Sequence, residues 1–222
     1  MCQHTIQKEM EVPRQKVDEA GIMKLLLENW RKFLKEEQTY QIYCDMDGVL
    51  VDFVEGALKH INKKLQNGEA EELKAEIGRD FVTEEDIDII SPNKAVRKYM
   101  RKELSNHADF WRDLEWMQGG KELWDYIAPH DPYILTTPMG YGSEIGKQEW
   151  IDKNLNPPPP KKVFMEPDKS PWATTGGKPN ILIDDWEKNT IPWNEAGGIA
   201  ILHTDTRKTI QELEEILNET PT

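Results

Sequence analysis

"YCDMDGVLVDF", residues 43–53, decides the fold. A short apolar run, Ile42-Tyr43-Cys44, reads as a strand and stops at two aspartates, Asp45 and Asp47, with Gly48 and a second apolar run behind them. On an extended segment, residues two apart point to the same side. Asp45 and Asp47 therefore share a face, although like charges so close repel. A buried strand that ends in such a pair predicts a site where one carboxylate attacks and its neighbour carries a proton.

Outward from this stretch the chain alternates strands and helices. "PYILTTP" (132–138) is a strand ending in hydroxyls, "KVFME" a short strand, "NILIDDWE" (180–187) a strand ending in two more aspartates, and "GIAILH" (198–203) a last strand. Helical periodicity is expected over 14–38, 52–66, from Gly119-Gly120 to about Ala128, after Pro138 to about Lys153, and over 206–218. Residues 69–105 read as charged helical segments, one of them beginning after Ser91-Pro92, and Pro157 to Pro160 as an extended connector. Such alternation predicts a doubly wound α/β fold on a parallel sheet, in which ligands sit beyond the carboxyl ends of the strands. Three strands end in polar groups, Asp45/Asp47, Thr136/Thr137 and Asp184/Asp185. A solvated turn explains any one of them. Three at equivalent strand ends converge on one site.

The remaining composition narrows the chemistry. The chain has 222 residues, with 41 acidic against 28 basic side chains and a net charge of −13, and no dense basic run. That argues against extended nucleic acid and anionic membrane surfaces as partners. No apolar stretch approaches the roughly 20 residues of a membrane span, and the N-terminus lacks the apolar core expected of a secretory signal. Cys2 and Cys44 offer neither a disulfide framework nor a metal-ligand spacing. A soluble cytoplasmic protein is expected. Four carboxylates in one crevice need a cation, and a hard, oxygen-preferring ion such as Mg2+ suits them. Hydroxyls and a lysine suit phosphate oxygens. An aspartyl-phosphate mechanism accounts for the whole set.

Other readings of D-x-D-G fit less well. An EF-hand starting at Asp45 wants an oxygen ligand, Gly and Glu where Val49, Leu50 and Gly56 stand. "GGKP" (176–179) lacks the spacing of a phosphate loop. A two-component receiver places its acidic pair before the phosphorylated aspartate and carries no insertion after the first strand.

With these residues in view, the chain resembles the haloacid dehalogenase superfamily of phosphohydrolases. "DMDGVLVDF" matches the first motif, Thr136 in "YILTTP" the second, Lys169 in "EPDKSPWA" the third and "ILIDD" the fourth. "DGVLVDF" and "TTP" are similar to 5'(3')-deoxyribonucleotidases, and "DKSPWA…ILIDD…W..AGGIAILH" to short nucleotidase-like forms of phages and bacteria. The resemblance covers roughly residues 40–215. It implies Asp45 as nucleophile and Asp47 as general acid/base. Mg2+ would be held by Asp45, the Asp47 carbonyl and Asp185, with Asp184 behind them as a partner of Lys169 and metal waters. Thr136, Thr137 and Lys169 would hold phosphate; Lys178 competes with Lys169 but lies outside the D-K-S order. The substrate implied is a nucleoside monophosphate, in the host cytoplasm if a phage encodes the protein. Assembly into a homodimer stays open.

The resemblance also divides the chain: an N-terminal extension over 1–38, an α/β core over 39–52 and 119–222, and a helical cap over 53–118. Phe53 and Trp111 fall where nucleotidases place rings around the base, although aromatics on amphipathic helices are more often core, the reading kept for Phe110 and Trp116. Cys44 reads as a buried strand residue. His60, His107, His130 and His203 lack ligand spacing and receive no role. "MKLLLENWRKFLKEE" (23–37) looks like leader segments of some phage proteins or like a helix packing on the sheet edge. The alternatives to a nucleotidase are a phosphatase of another small phosphate or of a nucleic-acid end, and a packaged or scaffold protein with a phosphatase fold.

Overall fold

The strand containing Tyr43 is buried on both sides, and the fold follows from that. In the computed structural model, which describes residues 24, 40–87, 93–155 and 163–218, β1 (Ile42–Cys44) is the middle strand of five. Its neighbours are β2 (Tyr133–Thr136), flanked by β3 (Val163–Met165), and β6 (Ile181–Asp184), flanked by β7 (Ile199–Leu202). All pairings are parallel, with Cys44 opposite Ile134 on one side and Ile183 on the other.

Side chains alternate across such a strand. Ile42, Cys44, Ile134, Ile181, Ile183 and Ile201 enter one apolar cluster, whereas Tyr43, Leu135 and Leu182 enter another. A sheet buried on both faces needs helices on both, which is the doubly wound arrangement. Each fully buried Ile or Leu contributes roughly 1.5–3 kcal/mol to this core.

Between β1 and β2 run α1 (Phe53–Gln66), α2 (Glu71–Ile77), α3 (Glu84–Ile87), α4 (Lys94–Leu104), α5 (Ala108–Arg112) and α6 (Gly120–Ile127). Asp52 caps α1 by accepting from the Glu55 N–H, and Asn93 caps α4 in the same manner. Ala57, Ile61, Leu104 and Trp111 of the insertion belong to the same apolar cluster as β1. Contact with α7 (Tyr141–Asn154) depends on small residues: a Cβ on Gly142 would lie 2.4 Å from the Asn106 carbonyl carbon, and one on Gly146 would lie 2.2 Å from the Ala108 carbonyl oxygen.

After β3 comes a small antiparallel hairpin, β4 (Thr174–Thr175) and β5 (Lys178–Pro179), turning through Gly176-Gly177, both at positive φ. Two further α-helices follow among the described residues, α8 (Glu187–Glu195) and α9 (Thr206–Asn218). Sequence reading missed α8 because Pro192 lies inside it and the preceding strand ends without a break. Trp193 supplies the driving force there, fully buried against Tyr43. The chain divides into units Met1–Thr39 and Tyr40–Thr222. The expected helix over 14–38 and the proline connector lie outside the described residues, apart from Lys24, which is helical.

Candidate active site

Asp45 continues the β1 ladder by donating its N–H to the Ile183 carbonyl at 2.9 Å, so its carboxylate emerges at the carboxyl end of the central strand. The chain then turns sharply. The N–H groups of Val49, Leu50 and Val51 all reach the Met46 carbonyl, and Gly48 donates to Val51, which leaves the Asp47 carbonyl out of the turn's bonding. Gly48 adopts φ +75°, and a Cβ there would lie 2.0 Å from Asp185 Oδ2. Both the turn and the aspartate that follows β6 therefore require glycine.

Asp45, Asp184 and Asp185 offer oxygens within 4.8 Å of one another. The two lysines nearby are unevenly shared. Lys169 Nζ lies 2.6 Å from Asp184 Oδ2 and 3.0 Å from Asp45 Oδ1. Lys147 Nζ lies 2.7 Å from Asp47 Oδ2. Among the described residues no ammonium pairs with Asp185.

The proton affinities record this imbalance. Asp185 is pushed up to about 8 by burial and by the charges of Asp45, Asp184 and Asp47. Asp184 rises to about 6, through burial first and Asp45 second, with Lys169 opposing. Burial raises Asp47 as well, against the pull of Lys147. Burial by itself would lower Lys169, but Asp45 and Asp184 outweigh it and raise the ammonium.

The other expected residues divide. Thr136 is fully buried beside Lys147, with 2.7 Å between Oγ1 and Nζ. Thr137 is exposed and its hydroxyl donates to the Glu166 carbonyl at 3.0 Å, so that proton is not directed at a phosphate. Lys178, weighed against Lys169, is exposed on β5. Trp111 corrects the expectation of a ring pair around a base. It is buried, its indole N–H donates to the Leu104 carbonyl at 2.8 Å, and it stacks directly on Phe53, with centroids 5.3 Å apart and planes at 12°. No base fits between them. Phe53 is half-buried and lines a cavity of about 700 Å³ that also includes Gly48, Asp185, Met117 and Arg207. Two other cavities, around Lys59 and His60, do not include the carboxylates.

Lys147 escaped sequence reading, although the signal was present. On α7 the residues Ser143, Gly146, Lys147, Trp150 and Ile151 share the buried side, so a lysine stands on an otherwise inward face. Such a lysine needs a carboxylate partner.

No family model matches the chain. It is 27% identical over 164 residues to the human cytosolic 5'(3')-deoxyribonucleotidase, a match covering 71% of this chain and 75% of that protein. The motifs, the fold and this relative all resemble phosphohydrolases of the haloacid dehalogenase superfamily. Solved structures similar to this chain include a hydrolase from Streptococcus pneumoniae TIGR4, with a TM-score of 0.49, 14% identity, and coverage of 80% of this chain and 100% of that one. Another is a predicted phosphoglycolate phosphatase from Haemophilus somnus 129PT, with a TM-score of 0.44, 10% identity, and coverage of 81% and 98%. Among the described residues no helix is long and apolar enough to cross a membrane.

Proposed function

We propose that this phosphohydrolase releases phosphate from nucleoside monophosphates, deoxyribonucleotides among them, with Mg2+ as its metal. The observation that carries the metal is Asp185, a carboxylate facing three others with no ammonium of its own among the described residues. With all four ionised, the carboxylates exceed the two ammonium groups by two negative charges, which a divalent cation matches. Every donor offered is a hard oxygen, as Mg2+ prefers. Asp45, Asp185 and the Asp47 carbonyl would hold the ion, whereas Asp184 is already committed to Lys169, Asn189 and the Trp186 N–H. When bound, the ion supplies positive charge that admits the phosphate and stabilises the charge developing on it.

The chain's own residues divide the remaining work. A carboxylate oxygen of Asp45 attacks phosphorus, the bond from phosphorus to the ester oxygen breaks, and an aspartyl-phosphate forms. Asp47 gives its proton to the departing alkoxide, then takes one from the water that hydrolyses the intermediate. Thr136 and Lys169 hold the phosphate oxygens, with Thr137 at the rim. The nucleoside would lie in the cavity beside Asp185, against Phe53. The deoxyribonucleotide in the name of the human relative supports this substrate class.

Phosphate release measured over a panel of nucleoside monophosphates, sugar phosphates and phosphorylated oligonucleotides, with Mg2+ and with EDTA, tests the reading. Turnover of nucleotides that EDTA abolishes and Mg2+ restores is expected. Preference for sugar phosphates or oligonucleotide ends would replace the substrate, and no release from any of them would favour a scaffold role.

A further inference from the structure

Lys147 has a task that its own bonds define. Its ammonium is completely buried, and each of its three protons has an acceptor: Asp47 Oδ2 at 2.7 Å, Thr136 Oγ1 at 2.7 Å and the Thr137 carbonyl at 3.1 Å. A lysine has three donors and no acceptor. Nothing remains with which to bind a substrate, so Lys147 acts through its partners.

The effect on each partner follows from counting lone pairs and protons. A hydroxyl carries one proton and two lone pairs. Thr136 Oγ1 already accepts from Lys147, and no described residue takes the Thr136 proton. That proton is available only to a group entering the site. On Asp47 the ammonium anchors Oδ2, while Oδ1 is buried without a hydrogen-bond partner. A buried oxygen in that condition is costly unless a ligand completes it.

We infer that Lys147 is a positioning residue: one ammonium dedicates Oδ1 of Asp47 to the leaving-group oxygen and turns the Thr136 hydroxyl into a donor for phosphate. This rests on the reading of Asp47 as the proton carrier and Thr136 as a phosphate contact. The arrangement reaches back into the helical insertion. Lys147 Nζ stands 5.1 Å from the centre of the Trp111 ring, which the Leu104 carbonyl and Phe53 hold in place. Gly146 admits α5 close enough for that wall to form. Trp111 thus serves the site as the wall behind Lys147 rather than as a platform for a base.

The test compares kcat/KM of the full-length protein, with Mg2+, on thymidine monophosphate and on 4-nitrophenyl phosphate. The alkoxide of the first needs a proton to leave and the nitrophenolate of the second does not. Lys147→Met is expected to lose about 10²- to 10³-fold on the nucleotide and about tenfold on the aryl ester. On an Asp47→Asn background the difference between the two substrates should vanish, because the residue through which Lys147 acts is gone. Lys147→Gln keeps N–H donors and should recover part of the loss; it also serves if Lys147→Met does not fold. Equal losses on both substrates that add to those of Asp47→Asn would mean that Lys147 only packs, and would overturn the inference while the phosphatase reading stands. Wild-type protein inactive on both substrates would overturn that reading and the inference with it.

Discussion

The two aspartate pairs of this protein look alike in the sequence and behave differently in the fold. Asp45 and Asp47 are separated by one residue, and both are among the charges that face Asp185. Asp184 and Asp185 are adjacent, so their side chains point apart. Asp184 turns inward, where it is fully buried and accepts from Lys169 at 2.6 Å, from Asn189 Nδ2, which lies 3.0 Å from each of its two oxygens, and from the Trp186 N–H at 2.9 Å. Asp185 turns toward Gly48 and the other carboxylates, and among the described residues no ammonium pairs with it. The spacing within a pair thus determines whether it delivers two groups to the chemistry or one group and its foundation.

The largest expected effect breaks the first pair. On the proposed reading, Asp45→Asn removes the attacking charge but keeps the shape, and turnover should fall by at least about 10³-fold while the fold survives. Near-normal phosphate release by a folded variant would exclude an aspartyl-phosphate on Asp45.

The second pair is tested by substituting its members separately. Asp184→Ala strands the buried Lys169 with one carboxylate fewer, which should cost about 3–5 kcal/mol and lower Tm by roughly 10 °C. Asp185→Ala removes an unsupported charge instead. At pH 9 the metal-free variant should melt no lower than wild type, yet bind Mg2+ more weakly than Asp184→Ala does. Thermal scans with and without Mg2+ read both quantities, and the reverse order would exchange the two assignments.

Phe53 and Trp111 sharpen the contrast between cavity wall and core. Phe53→Ala should lower kcat/KM for a nucleotide by about 5- to 150-fold, the range of a lost stacking contact, and hardly affect 4-nitrophenyl phosphate. Trp111→Ala should instead destabilise the whole domain by about 3–5 kcal/mol, as loss of a buried indole does. Equal kinetic losses on both substrates for Phe53→Ala would assign its ring to the core as well.

The smallest effect is that of pH on metal affinity. Asp185 ordinarily ionises near 3.8 and is raised to about 8 in the folded chain. Between those values the metal-free protein holds a proton that the unfolded chain has released, so this group's contribution to stability is lost as pH rises through 8. A cation must displace the same proton. Mg2+ affinity should therefore climb by up to about tenfold per unit to pH 8 and then level off. Titrations at pH 6, 7, 8 and 9 check this, and constant affinity from 6 to 8 would mean that Asp185 is not a ligand.

Period and spacing made much of the architecture readable in advance. The alternation of Ile42, Tyr43 and Cys44 matches the two clusters on opposite faces of the sheet, and 206–218 is the helix its pattern implies. α8 was hidden because it is held by Trp193 packing on Tyr43 rather than by a regular stripe of its own. Trp111 was misread for a related reason. An aromatic on an amphipathic helix carries no mark of whether its ring meets solvent, substrate or core, and here it meets Phe53, Lys147 and the Leu104 carbonyl.

By itself the sequence determined the order of the five sheet strands and of the helices other than α8, the glycine after Asp47, and the carboxylates and hydroxyls at three strand ends. Those features are local, set by side-chain alternation and by the steric demands of a turn. Only the tertiary structure decided how charge is distributed among them. Lys147 meets Asp47 across 100 residues, and Lys169 meets Asp184 across 15. Ion pairs of that kind depend on which helix face is buried and on how closely glycines let helices approach, and neither is written in the residues that carry the charge.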